Sequence, residues 1–146
     1  MVLATNLGFP RIGPMRELKK GVEAFWKGKS SKEELLALGK ELRAANWKRQ
    51  HDAGLDQVPS NDFAYYDLIL DLRTTLGLIP KRYKNANLGD DPLDFYFARA
   101  RGRQEGDVDV VAMEMSKWYD TNYHYIVPEF EEGMTPSLSS HKIFDH

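Results

Sequence analysis

Apolar residues recur at helical spacing over two early stretches of the chain. Met15, Leu18, Val22, Phe25 and Trp26 share one face ahead of Gly28, and Leu35, Leu38, Leu42 and Ala45 form a second stripe that Gly54 terminates. Ser31 stands three positions before Glu34 at the head of the second stripe, the spacing at which a hydroxyl and a carboxylate cap each other's backbone amides. Ahead of the first helix, Leu7 to Ile12 is a short apolar run closed by Gly13-Pro14 and reads as a strand or extended loop. Gln57 to Phe63 crosses Pro59 as a further extended segment. It leads into a helix whose Leu68, Leu72 and Leu76 fall on one face, closed by Gly77 and Pro80.

The second half of the chain is less periodic. Lys81 to Asp91 is polar and predicts an exposed connection, after which Asp91-Pro92 supplies a cap and a first turn for a short helix reaching about Arg101 and stopped by Gly102. Arg103 to Asp109 reads as a loop, Val110 to Lys117 fits a strand or a helix, and Tyr123 to Val127 is aromatic and β-branched, a strand or its exit. From Glu131 to His146 there are few core-forming residues. Extended and helical pieces thus alternate, the order of an α/β fold with parallel strands whose ends present the ligand groups.

Composition narrows the class. The chain has 146 residues, 20 basic and 22 acidic side chains for a net charge of −2, an apolar share of 42% and 12% aromatics. That is one domain's length and a composition for a folded chain rather than a disordered one. Near-neutral charge offers no field for a nucleic-acid backbone, and no apolar window is long enough to cross a bilayer; with no signal-like start, the expected home is the cytoplasm. There is no cysteine, and His51, His124, His141 and His146 are scattered. His124 with Glu129 lacks a third ligand at a persuasive spacing, so no metal site and no catalytic residue is expected within this segment.

Three clusters carry candidate chemistry. Gly8 to Lys20 sets a glycine-containing turn before a helix start, where unpaired amides attract anions and Arg16 or Lys19 could meet a carboxylate or phosphate; it lacks the nucleotide-binding glycine spacings, and on pattern alone an ordinary helix start with solvated cations is the simpler account. Asn61 or Asp62 could orient a polar ligand or cap a helix. Glu114, Lys117, Asp120, Asn122, Tyr123 and His124 form the richest polar and aromatic concentration, suited to clamping a flat anionic heterocycle or to packing a strand end.

Taken together, the run from Leu7 to Lys20 (LGFPRIGPMRELKK), Phe25-Trp26, Asn46-Trp47, Val58 to Phe63 (VPSNDF), Tyr66-Asp67 and Glu114 to Phe130 (EMSKWYDTNYHYIVPEF) closely resemble the amino-terminal part of cobalamin-independent methionine synthase, in order and over nearly the whole chain. The resemblance implies part of the amino-terminal (β/α)8 TIM barrel of a two-barrel enzyme, with residues 1–130 the opening portion and 131–146 a connecting segment of the same domain. It implies methyl transfer from 5-methyltetrahydropteroyltri-L-glutamate to L-homocysteine without cobalamin, in a cytoplasmic enzyme monomeric at full length. Zinc activates the homocysteine thiol in that family, and its ligands and the homocysteine site would lie outside this segment, leaving the isolated segment inactive. Folate-polyglutamate-binding residues carry over onto Arg16, Glu17, Leu18, Lys19, Lys117 and Asn122. Their cations would meet the glutamate tail, Asn122 would hydrogen-bond a polar part of the ligand, and Leu18 would pack its side chain and offer its backbone. Two other classes compete on residue pattern alone: a free-standing small-molecule or anion-binding α/β domain, and an interaction domain whose aromatic segment is core or docking surface.

Overall fold

The structure is a computed structural model that describes residues 2–138; residues 139–146, with His141 and His146, lie outside the described residues. It contains helices and short strands in the order α1 (Glu17–Trp26), α2 (Lys32–Asp52), α3 (Leu68–Thr75), α4 (Lys81–Lys84), α5 (Pro92–Arg101), β1 (Arg103–Glu105), β2 (Val108–Val110), β3 (Met115–Lys117) and β4 (His124–Ile126). The chain divides into two compact units, one ending at Tyr65 and one beginning at Tyr66.

In the first unit, α2 begins with the expected reciprocal cap. The Ser31 hydroxyl accepts from the Glu34 amide at 3.2 Å, and Glu34 Oε2 accepts from the Ser31 amide at 2.7 Å. Leu18 and Val22 of α1 are buried, as are Leu35 and Leu42 of α2. Gly39 lies where a side chain would strike the Tyr65 ring, so its missing Cβ lets Tyr65 reach in and donate to the Leu35 carbonyl at 3.4 Å. The two extended segments meet at one parallel bridge, Thr5 to Gln57, across the intervening helices. Asp62 joins them again by accepting from the Phe9 amide at 2.9 Å. The inner face of α2 is polar at this end: Asn46 Nδ2 donates to the Pro10 carbonyl at 3.4 Å, and Gln50 Oε1 accepts from Asn6 Nδ2 at 2.8 Å.

In the second unit, α3 and α5 begin with aspartate caps. Asp67 Oδ2 accepts from the Leu70 amide at 2.9 Å, and Asp91 Oδ1 from the Leu93 amide at 2.8 Å. The face of α3 departs from the apolar stripe: Leu72 is 54% exposed, whereas Leu70, Asp71 and Arg73 are buried. Arg73 can bury because its Nη2 donates to the Leu78 and Glu129 carbonyls at 2.9 and 2.5 Å and its guanidinium covers the Phe130 ring. Nor is the polar stretch after Pro80 simply an exposed connection. It forms the single turn α4, whose Tyr83 is 0% exposed and donates to the Val111 carbonyl at 2.6 Å, while Leu88 is also buried.

The paired strands are antiparallel rather than parallel. β1 and β2 form a hairpin where a loop was expected, pairing Arg103 with Val110, and β3 and β4 form a second, pairing Met115 with Ile126 and Lys117 with His124. Gly106 in left-handed conformation, φ 58°, allows the tight connection of the first hairpin, a turn that the pattern of charged residues conceals. The segment after Glu131 is tied in: Glu131 Oε1 accepts from the Lys81 amide at 3.0 Å and the Ser137 amide donates to the Leu76 carbonyl at 2.9 Å.

Arg99 marks the centre of this unit at 1% exposure. Its Nη2 donates to Thr74 Oγ1 at 2.7 Å and its guanidinium lies 5.0 Å from the Phe95 ring centroid. Burial pulls its proton affinity down to about 10.

Candidate functional site

The first group of candidate residues forms a turn and the start of α1. Gly13 takes φ 83°, its carbonyl accepts from the Arg16 amide at 3.1 Å, and Arg16 itself sits left-handed at φ 61°, ψ 38° as the residue preceding the helix. An L-residue pays on the order of 1–2 kcal/mol for that conformation, so the surrounding contacts must hold it. One of them comes from Glu17, whose Oε2 accepts from the Met15 amide at 3.0 Å. Leu18 points its side chain into the core, and its amide donates to the Ile12 carbonyl at 3.1 Å. Lys19 is exposed and makes a loose surface pair with Glu23 at 3.8 Å, a contact of little energetic weight. Arg16 is exposed with its guanidinium directed to no partner among the described residues. A left-handed residue at a helix start thus presents one cation, with a second one turn later.

The second group lies on the β3–β4 hairpin. Lys117 ends β3 and Asn122 stands in the connection; both are exposed. The connection is internally tied. The Trp118 carbonyl accepts from the Thr121 amide at 3.1 Å and from its hydroxyl at 2.7 Å, and the Trp118 amide donates to the Tyr123 carbonyl at 2.7 Å. Tyr119 occupies the left-handed position, φ 51°, and Trp118 meets the Tyr119 and Tyr125 rings edge to face. His124 Nδ1 lies 3.0 Å from the Asn122 carbonyl, so this histidine is engaged with the turn it follows.

Arg16, Glu17, Leu18 and Lys19 are therefore contiguous in one unit, and Lys117 and Asn122 share one hairpin in the other. Asp62, weighed as a ligand or a cap, instead holds the Phe9 amide. Sequence pattern passed over Asp67, which is buried and joins helix cap to strand: its Oδ1 accepts from the Tyr123 hydroxyl at 3.1 Å, and its Oδ2 from the Ile126 amide at 3.3 Å. Apart from the resemblance, which includes Tyr66-Asp67, its signal was its place directly before a helix, where an aspartate reads as a cap. Recesses among the described residues include two that lack Arg16, Lys19, Lys117 and Asn122. One of about 10 Å³, beside Arg43, Asn46 and Gln50, is the size of a single water; the other, about 210 Å³, is bordered by Ile79, Asp91, Pro92 and Phe95. Among the described residues no three His, Asp or Glu side chains gather where a metal ion could be held. No described helix is long and apolar enough to cross a membrane.

A family model described as cobalamin-independent synthase, N-terminal domain, matches residues 3–146. A 5-methyltetrahydropteroyltriglutamate–homocysteine methyltransferase of Flavobacterium johnsoniae is 56% identical over 140 residues, 96% of this chain and 18% of that protein. Proteins of the same name from Salinibacter ruber and Candida albicans are 53% and 54% identical, covering 99% and 96% of this chain and 19% of each relative. The chain spans about a fifth of the length of the relatives it matches. Matched in this way from residue 3 to residue 146, the chain belongs to the family of the cobalamin-independent synthase N-terminal domain.

Proposed function

We propose that this chain is the folate-polyglutamate-binding, amino-terminal part of an enzyme that transfers a methyl group from 5-methyltetrahydropteroyltri-L-glutamate to L-homocysteine in methionine biosynthesis. The observation that carries the reading is identity above 50% across almost the whole chain to relatives bearing the name of that methyltransferase. The alternation of helices and extended segments, with the parallel bridge from Thr5 to Gln57 spanning two helices, supports an opening portion of a (β/α)8 barrel, residues 1–130, continued by 131–146.

In this reading Arg16, Lys19 and Lys117 meet the carboxylates of the glutamate tail. Each of these cations is exposed, and a carboxylate ligand gains charge-assisted hydrogen bonds from them. Asn122 offers an amide donor and acceptor to a polar part of the folate. Glu17 and Leu18 hold the turn and the helix that present the cations. Zinc and homocysteine belong to a part of the enzyme beyond this segment, and this chain's own contribution is capture and orientation of the methyl donor, in a cytoplasmic enzyme acting without cobalamin as a monomer.

The test uses the protein at its relatives' full length. Methionine formation from the triglutamylated methyl donor and homocysteine, without added cobalamin, is expected, and Arg16→Ala and Lys117→Ala should each raise the Michaelis constant for the folate on the order of tenfold. Absence of methionine formation would overturn the activity; unchanged folate affinity in both variants of an active enzyme would overturn the site.

A further inference from the structure

Lys117 and Asn122 stand on a hairpin with only three residues in each strand, and β3 is exposed along its length. Two-stranded hairpins of this size are marginal in water by themselves, so the geometry of their connection depends on what they are fastened to. Here the fastening is a buried carboxylate. Asp67 Oδ2 accepts from the Leu70 amide at the start of α3 and from the Ile126 amide in β4, while Oδ1 accepts from the Tyr123 hydroxyl at 3.1 Å. The aspartate is itself fixed from behind: the fully buried Tyr96 hydroxyl accepts from the Tyr66 and Asp67 amides at 3.3 Å each and donates to the Asp67 carbonyl at 3.4 Å.

Tyr123 is the link that reaches the ligand-bearing end. It follows Asn122 directly and precedes His124, which pairs across the hairpin with Lys117. Its amide is held by Thr121 Oγ1 at 3.2 Å and its carbonyl by the Trp118 amide at 2.7 Å, so a displacement of the ring is passed to both sides of the connection. Ile126 anchors the base of β4; the Tyr123 hydroxyl anchors its tip.

We propose that Tyr123 is a positioning residue for folate binding: its hydrogen bond to Asp67 holds the connection so that Lys117 and Asn122 are presented in a fixed arrangement. The proposal rests on the folate-site reading above, and it adds a residue that acts through the hairpin rather than on the ligand. The side chain that binds gains from being held, because ordering it beforehand removes that cost from the binding step.

The experiment compares Tyr123→Phe, Lys117→Ala and the double variant at the relatives' full length, measuring kcat and KM for the triglutamylated folate. Phenylalanine keeps the ring and removes the hydroxyl alone, so the fold is retained. Tyr123→Phe is expected to raise KM about three- to tenfold, the range of one lost hydrogen bond, with kcat unchanged. In the Lys117→Ala background the same change should have a smaller effect than in the parent, because one of the two groups being positioned is gone. If Lys117→Ala weakens folate and Tyr123→Phe does not, or if the two effects multiply independently, the positioning role is overturned while the folate site stands. If Lys117→Ala itself leaves folate binding unchanged, the folate-site reading falls and the proposal falls with it.

Discussion

Glu17 Oε2 accepts a hydrogen bond from the amide of Met15 at 3.0 Å, bending the carboxylate back over the turn that places Arg16 in its left-handed conformation. This geometry sets two effects against each other. A carboxylate near a polyanionic folate tail repels it, so removing the charge alone would tighten binding; removing the brace would loosen the turn and weaken binding. Glu17→Gln keeps an oxygen acceptor and discards the charge, whereas Glu17→Ala discards both. The expected order of folate-triglutamate affinity is Gln at or above the parent, and Ala lower by about three- to tenfold, the range of one lost hydrogen bond. Titration calorimetry of the two variants at full length checks it, and an Ala variant as tight as Gln would refute the brace.

Lys19 is released easily from Glu23, since a surface pair at 3.8 Å contributes almost nothing. Lys19→Ala should therefore cost little stability. It should weaken a triglutamylated folate on the order of tenfold while affecting a monoglutamylated one much less, because the shorter ligand lacks the carboxylates that the ammonium would meet. Equal losses for the two ligands would remove Lys19 from tail binding.

Ser31→Ala removes the hydroxyl from the reciprocal cap at the start of α2. The cost is about 1 kcal/mol, which corresponds to roughly fivefold more frequent opening of the first helical turn. Hydrogen exchange at the Glu34 amide, the one that the Ser31 hydroxyl accepts from, should accelerate by that factor, with the middle of α2 unchanged.

Alkaline pH should destabilise the second unit. Burial raises the Tyr83 phenol from 10 to about 12, and burial raises Tyr96 as well. Above pH 10 the unfolded chain releases these protons while the folded chain keeps them. Their contribution is therefore complete below pH 10 and is lost as pH climbs through the folded-state value. Tyr83→Phe should be less stable at neutral pH, having lost its bond to the Val111 carbonyl, and should show a shallower fall between pH 10 and 12. Measuring local unfolding of this unit by hydrogen exchange against pH resolves both effects.

How far the sequence could be read depended on which forces each element uses. α2 and α5 begin and end on local chemistry, Ser31 with Glu34 and Asp91 with Pro92, and short-range rules located them. The buried face of α3 was hidden, because Arg73 is tolerated inside only where the Leu78 and Glu129 carbonyls receive its protons, the second lying 56 residues away. The β1–β2 hairpin was masked by its charged composition. At the candidate site, the exposed residues Arg16, Lys19, Lys117 and Asn122 came from motif resemblance, whereas the tether from Tyr123 to Asp67 depends on a contact across 56 residues that no local pattern encodes.

Arg82 holds Glu129 with two hydrogen bonds, Nε to Oε2 at 3.0 Å and Nη2 to Oε1 at 2.5 Å, while its Nη1 donates to the Val111 carbonyl. A ribosome delivers these partners in sequence: the guanidinium first, the carbonyl 29 residues later and the carboxylate 47 residues later. The second unit consequently has a late-arriving charged fastener. Until Glu129 emerges, Arg82 lacks its charged partner and Arg73 lacks the Glu129 carbonyl, so a nascent chain halted short of that residue would hold its helices without the clasp that closes them.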